Sequence, residues 1–307
     1  YLGYGVMEAF GSHNKNTVEG QLTRSCISAP FTFTVNLLLK RSLKHEQKQE
    51  IDKALRALGV FGGLGGKSRK GYGSLTLLSL KVDDKETWTT PANTGELREA
   101  ISTLLGPSHL QAGQAGGSSP SDLPEWTAFS PASRIILVSA DNRDRSPLAL
   151  LDKIGREMVR YRSWGRNGKV LGNVDSGQNF KEDHDLMKLQ SSQRKNHPQR
   201  IVFGLPHNYG NQHHQRVGPA DAQLDRRASP LFIHIHQESS NSPPVGVLTF
   251  LPSRFLPKDR DVIDTGGART PLDQGTLWQP IHRFFGRLLD SDERKESFGS
   301  ATEVTHG

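Results

Sequence analysis

The stretch that most constrains this chain runs from Phe61 to Gly73 and reads Phe-Gly-Gly-Leu-Gly-Gly-Lys-Ser-Arg-Lys-Gly-Tyr-Gly. It has to be a loop between regular elements. Glycine tolerates positive φ and carries no Cβ, so such a backbone can bring several N–H donors close to one anion. With Lys67, Arg69 and Lys70 set among the glycines, that anion is expected to be a phosphodiester chain. Gly62, Gly63, Gly65, Gly66 and Ser68 are the backbone contacts this reading names, and Tyr72 is the aromatic within reach.

Two familiar glycine loops do not fit. A P-loop reads G-x-x-x-x-G-K-[ST]; Gly66-Lys67-Ser68 supplies its end, but its first glycine falls on Phe61. The dinucleotide fingerprint G-x-G-x-x-G, started at Gly63 and Gly65, places Ser68 where the third glycine belongs. Both motifs also run strand, loop, helix. Here the order is reversed: Ile51, Ala54, Leu55 and Leu58 predict a helix ending at Gly59, and Gly73 to Val82 reads as a strand. Upstream, Phe31, Phe33, Val35, Leu37 and Leu39 alternate with polar residues and predict a half-buried strand. The unit is strand, helix, basic glycine loop, strand.

That order, together with the wording Gly62 to Ser74, resembles the RAMP superfamily of CRISPR effector proteins. Its ferredoxin-like, RRM-related domains carry a loop of the type G-G-x-G-x-[KR]-[ST]-[RK]-[RK]-G-[FY]-G-S. Tyr1 to Gly5, Arg226 to Leu231 (Arg-Arg-Ala-Ser-Pro-Leu) and Leu251 to Pro257 narrow the resemblance to the first-numbered, two-domain Cmr subunits of type III-B complexes. The resemblance implies an α+β fold of two ferredoxin-like domains and a subunit that contacts guide RNA, target RNA and other Cmr subunits. It implies no cofactor and no metal. It also implies that the first domain is incomplete, since such subunits open with a strand, a glycine turn and a basic helix before the point where this chain begins at Tyr1. The implied limits are 1–82 for the first domain, 83–130 for a connection, 131–289 for the second domain with an irregular insertion at 163–200, and 290–307 for a polar tail.

Composition fits a polyanion partner. The formal net charge is +7 over 307 residues, with a pI near 9.5. A single cysteine, Cys26, permits neither an internal disulfide nor a cysteine-based zinc site and suits a reducing cytoplasm. No apolar run approaches the ~20 residues of a membrane span. Farther along, Gly106 to Pro124 is rich in Gly, Ser, Gln and Pro and marks the expected domain boundary. Arg134 to Val138 reads as a buried strand, and Ser146-Pro147 as the cap of a helix whose apolar face is Leu151, Ile154, Met158 and Tyr161. Strands are expected at 200–205, 231–236 and 245–251, and a last helix presents Ile281, Phe284, Phe285 and Leu288.

Further cations sit in the second half. Lys153, Arg156 and Arg160 share the polar face of the predicted helix, with Arg162, Arg166 and Lys169 following; this pattern suits a solvated face as well as an RNA track. Arg226 and Arg227 suit either bidentate phosphate contact or surface ion pairs with Asp221 or Asp225. Tyr72 suits either base stacking or packing beneath the loop. The histidines include Asp183-His184-Asp185, His207, His213-His214, and His234 with His236 on one strand face. None has the spacing of a catalytic or metal motif, so the expected role is RNA binding without catalysis. An endoribonuclease using Asp183, His184 or Asp185, or an RRM-like protein unrelated to CRISPR, are the alternatives.

Overall fold

The computed structural model describes residues 2–3, 6–8, 16–107, 123–141, 144–163, 169–170, 173–174, 180–209, 216–257 and 260–305. Tyr1, Tyr4 and Gly5, most of the Gly106–Pro124 stretch, Arg166 and the pair His213-His214 lie outside the described residues. The N-terminal half contains α1 (His45–Phe61), the hairpin β1 (Ser79–Val82) and β2 (Lys85–Thr89), and α2 (Thr94–Leu105). Then come β3 (Arg134–Ser139), α3 (Pro147–Arg162), the small hairpin β4 (Lys169–Val170) and β5 (Asn173–Val174), and α4 (Lys181–Lys188). The rest is β6 (His207–Asn208), β7 (Arg216–Pro219), β8 (Leu231–His236), β9 (Val245–Phe250), β10 (Val262–Thr265), β11 (Arg269–Pro271), α5 (Gln279–Leu289) and β12 (Ser300–Glu303).

The molecule is α+β, built on antiparallel sheets. Its centre is a four-stranded sheet in the order β12-β3-β9-β8. Helix α3 connects β3 to β8 and α5 connects β9 to β12, which makes the split βαβ arrangement of a ferredoxin-like unit. A second sheet, β11-β10-β7-β6, carries the chain around the insertion. Helix α3 starts where Ser146 Oγ accepts the N–H of Ala149 (3.2 Å), with Pro147 in its first turn.

Both faces of the central sheet are covered. Ile136, Val138, Leu248 and Phe250 pack with Leu150, Ile154 and Met158 of α3 and with Ile281, Phe284, Phe285 and Leu288 of α5. On the other face, Ile135, Leu137, Val245 and Val247 pack with Val60 of α1, Trp88 of β2, and Leu97 and Ile101 of α2. Burial on both sides explains why β3 and β9 read as continuous apolar runs rather than alternating ones. Removing each such side chain from water contributes about 1.5–3 kcal/mol, enough to lock the N-terminal helices onto the second half.

The structure departs from the sequence expectations at several points. Residues 31–39 form no strand: Phe31, Phe33, Val35, Leu37 and Leu39 remain exposed, because no described strand lies beside them to supply hydrogen bonds or cover. Helix α1 continues through Gly59, whose bare Cα lets Leu77 pack directly on it, and ends at Gly62. Regular pairing after the loop is confined to Ser79–Val82. The run at 200–205 is a 3-10 turn, Gln199–Phe203, with Ile201, Val202 and Phe203 buried; a short apolar run carries no periodicity with which to tell a buried turn from a strand. The polar tail supplies β12, held by backbone pairing to β3 and by the fork of Arg134 on Glu303 (2.6 and 2.9 Å).

Candidate nucleic-acid interface

The glycine loop closes on itself before it meets anything else. Gly62 caps α1 by donating to the carbonyl of Leu58 (2.9 Å), Gly63 bridges to Ser74, and Leu64 donates to Gly73 (2.8 Å). Gly73 has φ +70° and lies against the Leu64 carbonyl, so no side chain fits there. A Cβ on Gly63 would stand 2.7 Å from the Gly73 carbonyl oxygen. These glycines serve the neck of the loop. At the tip, Gly65 has φ +83° with open space around it, and Gly66 meets nothing nearer than Val6 at 3.7 Å. A ligand therefore has access at Gly65 and Gly66, while Gly62 and Gly63 are occupied by the fold.

The segment after the tip lies along the outer edge of β8. Ile233 N–H donates to the Arg69 carbonyl (3.0 Å), Ile235 N–H to Ser74 Oγ (3.0 Å) and Gln237 N–H to Thr76 Oγ1 (3.3 Å). Two histidines reinforce this seam from the same strand: His234 Nδ1 donates to the Gly62 carbonyl (2.7 Å) and His236 Nε2 to that of Pro91 (2.8 Å). Burial pulls His234 down to about 3 and lowers His236 as well, so both rings are neutral fasteners.

This docking sorts the loop cations. Lys70 closes a turn on the Lys67 carbonyl (2.7 Å) and forms a parallel bridge with Ile233. Arg69 faces out, stacked 4.8 Å over the ring of Phe232 and donating to the Ser229 carbonyl at 3.4 Å. Lys67, with φ +64°, is exposed at the tip. Lys70 faces in, and its amine is buried with no hydrogen-bond partner. Burial, then the charge of Arg162, then those of Lys67 and Arg69, pull it down to about 7. The N–H groups of Gly65, Gly66, Lys67, Ser68 and Arg69 have no internal acceptor among the described residues. Ser68 instead accepts from Gly71 through its carbonyl (3.3 Å). The outcome is an exposed row of donors flanked by Lys67 and Arg69, a geometry suited to an oxyanion chain.

Other predicted contacts fall elsewhere. Tyr72 packs against the main core with its hydroxyl beside Gly3; burial and Asp152 raise its ionisation, and the ring is not a free stacking platform. Arg160 is buried and paired with Glu296 (3.4 Å), because its helical position faces the segment after α5 rather than solvent. Beside it, Arg287 and the fully buried Glu157 pair at 2.5 Å, and Glu157 also accepts the N–H groups of Lys295 and Glu296. Arg227 spends its guanidinium on the Phe255 carbonyl (2.8 Å), the Ala228 carbonyl (2.8 Å) and Ser253 Oγ (2.9 Å); burial, then Arg69, pull it down to about 10. It is a clamp within the fold. Arg156 is exposed and paired with Asp152 (2.8 Å), and Arg226 is exposed next to Asp225 (3.8 Å).

Sequence spacing did not reveal a cluster that runs from the expected insertion to Tyr209. Asp183 accepts the N–H groups of Gln199 (2.7 Å) and Arg200 (2.9 Å) and the hydroxyl of Tyr209 (3.0 Å), and pairs with Arg200 (3.6 Å). Even so, burial raises its ionisation above the usual carboxylate range. The Tyr209 ring lies edge-on to His184 and His207 and under the Arg200 guanidinium (4.7 Å). Burial and Arg200 pull His184 down to about 4, and burial with Arg200 and Arg162 pulls His207 down to about 3. Asp185 is exposed, held down to about 2 by Lys181 and Lys188. Among the described residues no group of three or more His, Cys, Asp or Glu side chains is placed to hold a metal. The sequence signal for this cluster was the run Asp183-His184-Asp185; Arg200 and Tyr209 carried none.

The class defined by this architecture is a ferredoxin-like α+β protein with a basic glycine loop docked on a sheet edge. Residues 10–76 match the family model of the RAMP superfamily, a segment that takes in α1 and the whole glycine loop. No curated protein and no solved structure matches the chain significantly. Among the described residues no helix is long and apolar enough to cross a membrane.

Proposed function

We propose that this chain is an RNA-binding, non-catalytic subunit of a type III-B CRISPR (Cmr) effector ribonucleoprotein, holding guide or target RNA while other subunits cut. The observation that carries the reading is the loop tip. Lys67, Arg69 and the unengaged N–H groups of Gly65 to Arg69 form a sequence-indifferent phosphate track, in a segment similar to the RAMP superfamily. The cluster over residues 183–209 supports a non-catalytic role: Asp183 has its oxygens taken by donors, and His184 and His207, pulled down to about 4 and about 3, hold no proton for a general acid to give at neutral pH.

The test is binding of single-stranded RNA as a function of salt. Each phosphate contact contributes ~0.7 to the slope of log K against log salt on a single strand, so replacing Lys67 and Arg69 with Ala should flatten the slope by about 1.4 for every RNA sequence alike. Unchanged affinity and slope in a folded double variant overturns the reading. In the assembled complex, His184→Ala and Asp185→Ala should leave RNA cleavage within a few-fold of wild type. A true acid or base is worth ~100-fold or more, and a loss of that size with binding intact would make the subunit an endoribonuclease.

A further inference from the structure

The loop cation that does not face solvent is the least explained charge in the molecule. Lys70 belongs to the glycine loop, yet its backbone is fixed to Ile233 and its amine lies inside, without a hydrogen-bond partner. Among the described residues the charges that act on it are all positive: Arg162 at the end of α3, and Lys67 and Arg69 of its own loop. Behind Arg162 stands more positive charge. Arg200 donates to the Arg162 carbonyl (3.0 Å), and its guanidinium already has a counter-ion in Asp183. The histidines of that cluster, His184 and His207, add no negative charge. A buried amine whose charged neighbours among the described residues are cations destabilises the free protein, since burial of an ammonium is tolerated only when an anion and hydrogen bonds accompany it. An apolar residue of the same length would serve the fold better.

We propose that Lys70, with Arg162 beside it, is a second and inward-facing phosphate site, occupied by a phosphate of the RNA whose neighbouring phosphates lie on the loop tip. This rests on the RNA-binding reading and adds to it a contact of a different physical kind. Lys67 and Arg69 work as solvated charges that salt screens; the Lys70 site is desolvated, and the ligand supplies the counter-anion that no described residue provides. Binding there fixes the amine as an ammonium, so each occupied site takes protons from the buffer, about half a proton at pH 7 and close to one at pH 8.

Proton uptake separates this site from every other loop contact. Affinity for a single-stranded oligouridylate, measured by fluorescence anisotropy at constant ionic strength, should rise about tenfold from pH 8 to pH 6, as the free amine goes from mostly neutral to mostly charged. Lys70→Arg stays charged and should bind with a flat profile. Lys70→Met should bind weakly with a flat profile, yet unfold at the same temperature as wild type or higher without RNA. The variant with Lys67 and Arg69 both replaced by Ala should bind less tightly and keep the tenfold response. Persistence of that response in Lys70→Met overturns the proposal. A parallel arm adds inorganic phosphate at fixed ionic strength. Thermal protection of wild type but not of Lys70→Met supports the site; protection accompanied by RNA affinity indifferent to pH and to Lys70→Met assigns it to free phosphate and overturns RNA as its ligand. If no variant and no wild type binds RNA, the loop reading itself falls, and the phosphate arm alone decides whether Lys70 binds an anion.

Discussion

His234 and His236 show how a residue that reads as potential chemistry becomes structure. Two apart on β8, they point to the same side, and each spends one ring nitrogen on a carbonyl of the N-terminal half. Their other ring nitrogens, His234 Nε2 and His236 Nδ1, are buried without a partner, so a proton there would create a donor with no acceptor. The pH dependence follows from the shift. His234 has its pKa lowered to about 3 in the folded state, against ~6.5 when unfolded. Between those values the unfolded chain binds a proton that the folded chain refuses, so stability is full above pH ~6.5 and is lost as pH falls through the window, by up to about 1.4 kcal/mol per pH unit for each such group. Urea unfolding at pH 7, 6, 5 and 4 should show this decline, and His234→Phe should unfold more easily at pH 7 yet lose less stability on acidification. An identical pH slope in the variant would remove His234 from the seam. The same comparison shows what residue identity alone conveyed: that Lys67 and Arg69 were cations in a loop was plain, whereas that Arg160 and Arg227 were internal clamps depended on partners more than a hundred and some twenty-five residues away, Glu296, Phe255 and Ser253.

At the scale of elements, what the sequence announced was what had a period or a cap. Helices α3 and α5 declared themselves through Ser146-Pro147 and through Ile281, Phe284, Phe285 and Leu288, and β3, β8 and β9 through apolar runs. Elements defined by their neighbours stayed hidden. Strand β12, Ser-Ala-Thr-Glu, has no apolar alternation; its place at the sheet edge comes from backbone pairing with Ser139, Val138, Leu137 and Ile136 and from the bidentate contact of Arg134 with Glu303. That contact is largely shielded from water and two-pronged, the favourable geometry for an ion pair. Glu303→Ala should therefore cost about 1.5–3 kcal/mol, the range for hydrogen bonds to charged groups, and its effect should be local. Amide hydrogen exchange should quicken along β12 while β9, in the sheet interior, keeps its protection. Uniform quickening across the sheet would mean that β12 is integral to its stability rather than an edge laid on it.

Seen as a whole, the molecule has closed the surface that RRM-like proteins leave open. The face of the central sheet opposite α3 and α5 is filled by α1, α2 and Trp88, so a strand of RNA laid across stacked aromatics has no place here. The proposed RNA contact lies instead along β8, where the glycine loop is mounted. One edge of that sheet is thereby sealed by the loop, and the other ends in the short polar β12. The chain protects its sheet and leaves a different segment unprotected: Phe31 through Leu39, apolar, outside any strand and exposed, with Leu38 98 % accessible. A stretch of that kind offers unpaired backbone and apolar side chains together, the requirement for strand-to-strand adhesion between molecules. In colloidal terms, the purified chain should have a solubility ceiling set by this segment rather than by its net charge of +7. Light scattering should show reversible growth in particle mass with concentration, and charged residues at Phe33 and Val35 should raise the ceiling while leaving RNA affinity unchanged. Equal scattering from the charged variant would acquit the segment and shift suspicion to the basic surface.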